Sequence, residues 1–289
     1  MRIPESELII NADGSAFHIH IKSEELADNV ILVGDPGRVE MVAKYLSDIE
    51  FRHSSREFVS TTGKYNGKRI TVLSTGIGTD NCDIVMNELD ALANIDFRTR
   101  EIKAEHRSLN ILRIGTSGAV QNDIPLGSFV FAAYSLGADG LMNWYGRREE
   151  MAMPNISEAF TAHMNWSKYL HQPYFIKAGE DMTKRFEGHA IMGCTISAQG
   201  FYGPQGRVLR LPLAMPDMIE KLESFRYGDI RITNFEMESS AIAAMGRLLG
   251  HNCGTVCCII AQRQSHGANT DYKPKVEELV RLALERLTA

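Results

Sequence analysis

The chain has 289 residues, 44% of them hydrophobic and 23% charged, with a formal net charge of −5. That profile suits one soluble α/β domain spanning 1–289 with a substantial core. It carries no dense basic cluster, no leader-like N-terminus and no apolar run of membrane-spanning length. This argues against nucleic-acid and membrane partners and for a cytoplasmic protein with a small-molecule ligand.

No internal repeat or low-complexity linker interrupts the chain. FHIHI (17–21) places His18 and His20 at alternate positions of a segment read as extended. No carboxylate or cysteine set accompanies them for a metal, so one histidine donating to a ligand hydroxyl is the better chemical use. NVILVG (29–34) reads as a strand that ends in the turn GDPGRV (34–39), and VEMVAKYL from Val39 as the helix after it. In that turn Gly34 leaves room for close approach and Asp35-Pro36 shape the chain. Free amides at the helix start favour an anion, and Arg38 adds a fork suited to phosphate. An ordinary turn with a solvated arginine fits the same residues. SSREFVS (54–60) puts Arg56 in a strand, solvated, ion-paired or ligand-bound.

RITVLSTG (69–76) is a strand running into the glycine-rich TGIGTDN, and DIVMNELDALANI (83–95) is an amphipathic helix. SLNILRIGTSG (108–118) is an apolar strand with Arg113 inside it. A dry arginine must be matched, by an anion or by a structural carboxylate. Thr116 and Ser117 follow it with hydroxyls and amides able to cradle phosphate. SFVFAAYSL (128–136) and AIMGCTIS (190–197) read as strands. FYGPQGR (201–207) reads as a shaped loop in which Gln205 and Arg207 suit a flat heterocycle and Phe201 could wall it; a plain surface loop is the alternative. MPDMIEKLESF (215–225) reads as a helix.

In TNFEMESSAIAAM (233–245) a strand runs into a helix, with Glu236 and Glu238 at the junction. Acids there suit the helix dipole, and equally a vicinal diol. CGTVCCIIAQ (253–262) is a strand holding three of the five cysteines, read as buried reduced thiols, and a last helix starts near Lys275. The alternation implies a mainly parallel sheet covered by helices, with ligands outside the carboxyl ends of its strands.

GDPGRV, REF, STGIG, LRIGTSGA, FYGPQGR and NFEMESSAIAA, in this order over nearly the whole chain, resemble the uridine phosphorylases of the nucleoside phosphorylase I family. The resemblance implies a three-layer α/β/α fold around a central mixed, partly barrel-like sheet. It implies reversible phosphorolysis of uridine to uracil and ribose 1-phosphate, a pentosyl transfer with inorganic phosphate as co-substrate and no cofactor. By this resemblance Gly34, Arg38, Arg113 and Thr116 hold phosphate, joined by Arg56 from a neighbouring subunit. Gln205 and Arg207 recognise uracil, with Phe201, Ile260 and Arg263 around the base. Glu236, Met237 and Glu238 form the ribose stretch, and a neighbour's His18 reaches the 5′-hydroxyl. Catalysis would fall to Arg207, Gln205, Glu238 and Arg113. The borrowed residues imply a homodimer as the smallest active unit, with dimer versus hexamer left open.

Three features depart from the family pattern. Asn81, preceded by Asp80, stands where a serine usually helps bind a monovalent cation, although the partner Glu57 is present. Potassium near Glu57, Ile77 and Asn81 therefore stays open, and no other metal is expected. FYGPQGR inverts the common Pro-Gly order, and 141–187 matches poorly. Purine-specific relatives place an aspartate after the penultimate strand, and CCIIAQRQSH has none. A purine or broad-specificity phosphorylase and a non-catalytic nucleoside-binding protein are the competing readings. A nucleosidase would not need Arg38, Arg56 and Arg113 together.

Overall fold

Alternating apolar runs with both faces buried are the signature of a sheet sandwiched between helices. The computed structural model, which describes residues 2–263 and 267–289, has that architecture. The chain begins β1 (Asn29–Val33), α1 (Pro36–Ala43), β2 (Ser47–Ser55), β3 (Phe58–Tyr65), β4 (Lys68–Ser74) and α2 (Thr79–Asn94). It continues through the two-residue strands β5 (Ile95–Asp96) and β6 (Glu101–Ile102) to β7 (Asn110–Ala119) and β8 (Phe129–Gly137). Next come α3 (Pro154–Met164), β9 (Tyr174–Lys177), α4 (Glu180–Phe186), β10 (Ile191–Ser197) and α5 (Met218–Ser224). It ends with β11 (Ile232–Glu236), α6 (Ser239–Leu249), β12 (Asn252–Gln262) and α7 (Lys273–Thr288).

β1 lies between β4 and β7, parallel to both, and β12 runs parallel to β7 on its other side. The β2–β3–β4 meander extends one edge antiparallel. Beyond β12, β8 is antiparallel to it, and β10 and β11 follow in parallel. β11 then pairs back on β7, Asn234 opposite Ala119 and Phe235 opposite Gly118. That closes β7, β12, β8, β10 and β11 into a barrel-like turn. Register shifts next to Cys194 and between Ile259 and Ala261 supply the local bends such closure needs.

The period of two sorts the core. Ile31 and Val33 of β1 and Leu112 and Ile114 of β7 pack with α1, α4 and α7. Val30, Leu32 and Ile111 pack on the other side with α2 and α6. A third cluster, around Phe160, Phe175 and Phe225, joins α3 and α5 to the barrel. All five cysteines are buried and unpaired.

Two expectations fail locally. Residues 17–21 are a turn: His20 N–H donates to the Ala16 carbonyl at 3.1 Å and His20 takes φ 54°. The alternation of histidines belongs to a turn, whose backbone bonds close locally. Arg56 is not in a strand. It sits with Glu57 in the two-residue turn of the β2–β3 hairpin at φ 53°, the left-handed backbone such turns demand. The helix expected from Val39 begins instead at Pro36. Asp35 accepts the Gly37 N–H at 2.9 Å, and proline at the first position forfeits no hydrogen bond. α2 likewise begins earlier than expected, at Thr79. The poorly matching 141–187 stretch holds α3, β9 and the whole of α4.

Candidate active site

A cleft of about 1470 Å3 opens at the carboxyl ends of β1, β7, β11 and β12, where a parallel sheet leaves room for ligand. It is lined by Gly34, Arg38, Glu57, Ile77, Asn81, Arg113, Thr116, Phe201, Gln205, Arg207, Glu236, Met237, Glu238, Ile260 and Arg263. The fold thus brings every candidate except His18 and Arg56 to one cavity.

At its floor, Arg113 emerges from β7 at 4% exposure. It lies on the opposite face to Leu112 and Ile114, because strand side chains alternate. Its Nη2 donates a very short bond to Glu238, and Nη1 lies 3.3 Å from Glu236 Oε2. Gly115 makes this possible. A Cβ there would sit 2.2 Å from Arg113 Nη1, so only glycine leaves the guanidinium its place. Burial works against the charge on Arg113, but Glu238 and Glu236 outweigh it and hold the group more firmly cationic than usual. Its buried Nε–H has no hydrogen-bond partner.

The two acids divide their work. Glu236 ends β11 and turns back on the helix start, accepting the Glu238 N–H at 2.9 Å and the Ser239 N–H at 2.9 and 3.0 Å. It also accepts the hydroxyls of Ser197 at 2.6 Å and Ser239 at 2.8 Å. Glu236 is therefore saturated by its own chain and fixes the strand–helix junction, the helix-start role open to it from sequence. Glu238 accepts the Gly78 N–H at 2.8 Å and the Arg113 bond. Gly78 holds φ 100°, a backbone that side-chain-bearing residues avoid, to aim that amide. Burial lifts the Glu238 carboxyl above the ordinary range, Glu236 adds to the rise, and Arg113 and Gly78 oppose it.

Gly34, Arg38 and Thr116 flank this cluster. Arg38 forms no ion pair among the described residues. The α1 amides are less free than the sequence suggested, because Asp35 takes the Gly37 N–H. The Ser117 hydroxyl accepts from Asn234 Nδ2 at 2.9 Å, which leaves Thr116 as the free hydroxyl of the pair. Glu57, Ile77 and Asn81 meet at one rim. A Cβ on Gly76 would touch both Asn81 and Glu57.

At the far end, Gln205 is 3% exposed and its Oε1 accepts from Arg207 Nη1 at 2.6 Å. Arg207 also donates to the Phe201 carbonyl at 2.7 Å and lies over the Phe201 ring, 3.8 Å from its centroid. Burial, and then the charge of Arg263, push the Arg207 guanidinium down to about 10. Arg263 donates to the carbonyls of Gln205 at 2.9 Å and Gly206 at 3.3 Å, locking the loop to the end of β12. The last residues of the CCIIAQRQSH run, 264–266, lie outside the described residues.

His18 and Arg56 stand apart. His18 Nδ1 lies 2.5 Å from Glu88 Oε1, and the same carboxylate accepts the N–H groups of His18 and Ile19. Arg56 is exposed at its hairpin turn. Sequence reasoning missed Ser197, Ser239 and Gly115, and it gave Asp35 a part in the turn without the capping bond it makes to Gly37. Asp35 carried a readable signal, an acid before Pro at a helix start; the serines matter only through a packing no local pattern shows.

Residues 28–289 match the Phosphorylase superfamily. A uridine phosphorylase of Haemophilus influenzae is 32% identical over 249 residues, 86% of each chain. A guanosine phosphorylase of Halorubrum lacusprofundi is 25% identical over 281 residues, 94% of this chain and 98% of that one. Among solved structures, the Trypanosoma brucei nucleoside phosphorylase that shows uridine phosphorylase activity superposes with a TM-score of 0.86 at 27% identity, covering 97% of this chain and 99% of the other. With its barrel-closed sheet and the cleft at its strand ends, the chain belongs to the phosphorylase superfamily.

Proposed function

We propose that the chain is a uridine phosphorylase: uridine and inorganic phosphate give uracil and ribose 1-phosphate, reversibly. The observation that carries this reading is the Gln205–Arg207 pair, a buried amide and a guanidinium joined at 2.6 Å. They line the same cleft as Arg38, Arg113 and Thr116. An amide beside a fork of donors matches the adjacent carbonyl and N–H edge of uracil. Phosphate lies between Gly34, Arg38, Arg113 and Thr116, and Glu238 accepts the ribose diol from beside Arg113. Glu236, already saturated, positions Glu238 and Arg113 rather than touching the sugar.

Breaking the glycosidic bond leaves positive charge on the ribose and negative charge on the base. A phosphate fixed below the ring stabilises the first and forms the new bond to the anomeric carbon. Arg207 and Gln205 stabilise the second as the base departs with the bonding pair. Positioning and preorganised electrostatics suffice, with no side-chain nucleophile. Arg113, shared between two acids, contributes to phosphate by its unpartnered Nε–H and by any loosening of its Glu238 bond.

His18 and Arg56 lie off their own chain's cleft, which supports their serving a neighbour's site in a homodimer. The rim formed by Glu57, Ile77 and Asn81 offers a carboxylate and an amide oxygen to a monovalent cation. Among the described residues no helix is long and apolar enough to cross a membrane.

The test measures uracil release from uridine with and without phosphate, with inosine and guanosine in parallel. Uracil formed only with phosphate, with both purine nucleosides intact, is the expected result. Phosphate-dependent release of hypoxanthine or guanine at comparable rates would replace it with a broad or purine specificity. Release of uracil without phosphate would indicate hydrolysis, and no release from any of the three would favour a binding protein.

A further inference from the structure

At the end of the sheet opposite the cleft, where β7 and β12 begin, Asp90, His106 and His251 converge. Each offers one ligand atom, and the three atoms lie within 4.8 Å of one another. Among the described residues this is the one cluster of three or more potential metal ligands with that spacing. It shares no residue with the nucleoside cleft.

The histidine at its centre is in an unusual state for a structural residue. The His251 side chain is fully buried. Its Nδ1 accepts the Leu109 N–H at 3.2 Å, so the other nitrogen carries either a proton or a metal. That nitrogen, Nε2, is buried with no hydrogen-bond partner. It lies 3.3 Å from Asp90 Oδ1, outside good hydrogen-bond geometry. The distance has a natural meaning for a metal. Bonds of about 2.0–2.1 Å to a tetrahedral zinc ion set neighbouring ligand atoms roughly 3.3–3.4 Å apart.

The supporting contacts fit as well. His106 Nε2 lies 2.9 Å from the Leu249 carbonyl at the end of α6, and donating there leaves Nδ1 with a free lone pair. A ligating histidine is commonly held this way by its second nitrogen. The His106 and His251 rings lie near-parallel, 5.8 Å apart and tilted by 27°. Gly250, at φ 78°, ends α6 and makes room, since a Cβ there would meet His106 at 3.0 Å. Asn94 donates to Asp90 Oδ1 at 2.7 Å and accepts the Arg107 N–H at 2.7 Å, fixing the carboxylate relative to the loop that carries His106.

We propose that Asp90, His106 and His251 form a site for one divalent transition-metal ion of the zinc class, with water completing the coordination. Two imidazoles and one carboxylate are the ligand set such ions prefer over calcium or magnesium. The ion staples α2, the loop before β7 and the α6–β12 junction. Its place far from the cleft makes it structural, and it takes no part in phosphorolysis.

The test titrates the untagged, metal-stripped chain with Zn2+ by calorimetry and with Co2+ by visible absorption, and records melting with and without Zn2+. The expected result is one equivalent bound, a cobalt spectrum without a thiolate charge-transfer band, and a rise in Tm. His106→Ala, at an exposed position, and Asp90→Asn should each weaken Zn2+ binding by at least about 100-fold, beyond the 10–100-fold typical of losing a supporting partner. Both should leave uridine turnover intact. Absence of stoichiometric binding, a thiolate band, or binding unmoved by both substitutions would overturn the proposal.

Discussion

Two arginines face the same cleft and live in opposite worlds. Arg113 is rooted in a central strand, 4% exposed, between two buried acids. Arg207 stands on a loop after β10 and stacks on Phe201, a ring 51% exposed, with a neutral amide as its partner. Its nearest charge of consequence is another cation, Arg263. The carboxylates make Arg113 more firmly cationic than usual, whereas burial and Arg263 make Arg207 less so. A compensated cation fixes geometry. An uncompensated one gains most when negative charge develops beside it, as the proposed phosphorolysis requires on a departing base.

The sharpest way to break this contrast is Arg113→Met. Removing one partner of a buried charged cluster strands the others, and such losses cost about 3–5 kcal/mol. The variant should lose that much stability in urea denaturation and nearly all activity. Adding Glu238→Gln should return part of the stability and none of the activity. If Arg113→Met melted like the wild type, the acids would not depend on the arginine and the floor of the cleft would need another account.

Arg207→Ala tests the other pole. Lacking a compensating acid, the site should fold normally while turnover on uridine falls about 10²–10³-fold, the usual loss of one preorganised donor. The apparent affinity for phosphate should hardly change. An equal fall in phosphate affinity would mean that Arg207 serves the wrong end of the cleft.

A third experiment asks whether the two poles suffice. Subunits carrying His18→Ala lack only a residue expected to serve the neighbour, whereas Arg207→Ala subunits lack a residue of their own cleft. A random mixture puts half its chains in hybrid dimers, each with one intact site, so activity should recover to about a quarter of wild type in a two-fold assembly. Proven subunit exchange without recovery would return His18 to its bond with Glu88 and nothing more.

The legibility of the site follows the same divide. Arg113 was visible as a cation in an apolar strand, and its need for a partner followed from burial alone. That its partners are Glu236 and Glu238 was not readable, because the chain brings them from β11 only by closing the barrel onto β7. Glu236 kept a dual reading in sequence, since a helix-start acid and a sugar ligand look alike until Ser197 and Ser239 are seen to saturate it. β1, β7 and β12, which border the cleft, were found to within two residues, because strong apolar, β-branched runs admit few alternatives. His18 and Arg56 were misplaced in backbone for the opposite reason. Both sit in short turns whose hydrogen bonds, not side-chain periodicity, set the conformation.

The smallest expected effect concerns a buried acid outside the cleft, behind the α6 helix start. Asp139 accepts from Leu141 N–H and Ser240 Oγ, both at 2.8 Å, and from Tyr174 OH at 3.3 Å. Burial nevertheless raises its carboxyl above 3.8, because three neutral donors do not offset the loss of water. A raised value means the folded state prefers the protonated form. Its contribution is complete below the unfolded value and is lost as pH rises through the folded one. Asp139→Asn removes that titration and keeps the size of the group. The asparagine variant should therefore gain on the wild type in urea midpoint between pH 4 and pH 7. The gain should be on the order of 1 kcal/mol for each unit by which burial has raised the acid. A difference that stays constant across that range, or runs the other way, would show Asp139 ionised at no cost. Its three donors would then be balancing the charge as fully as Arg113 balances the acids of the cleft.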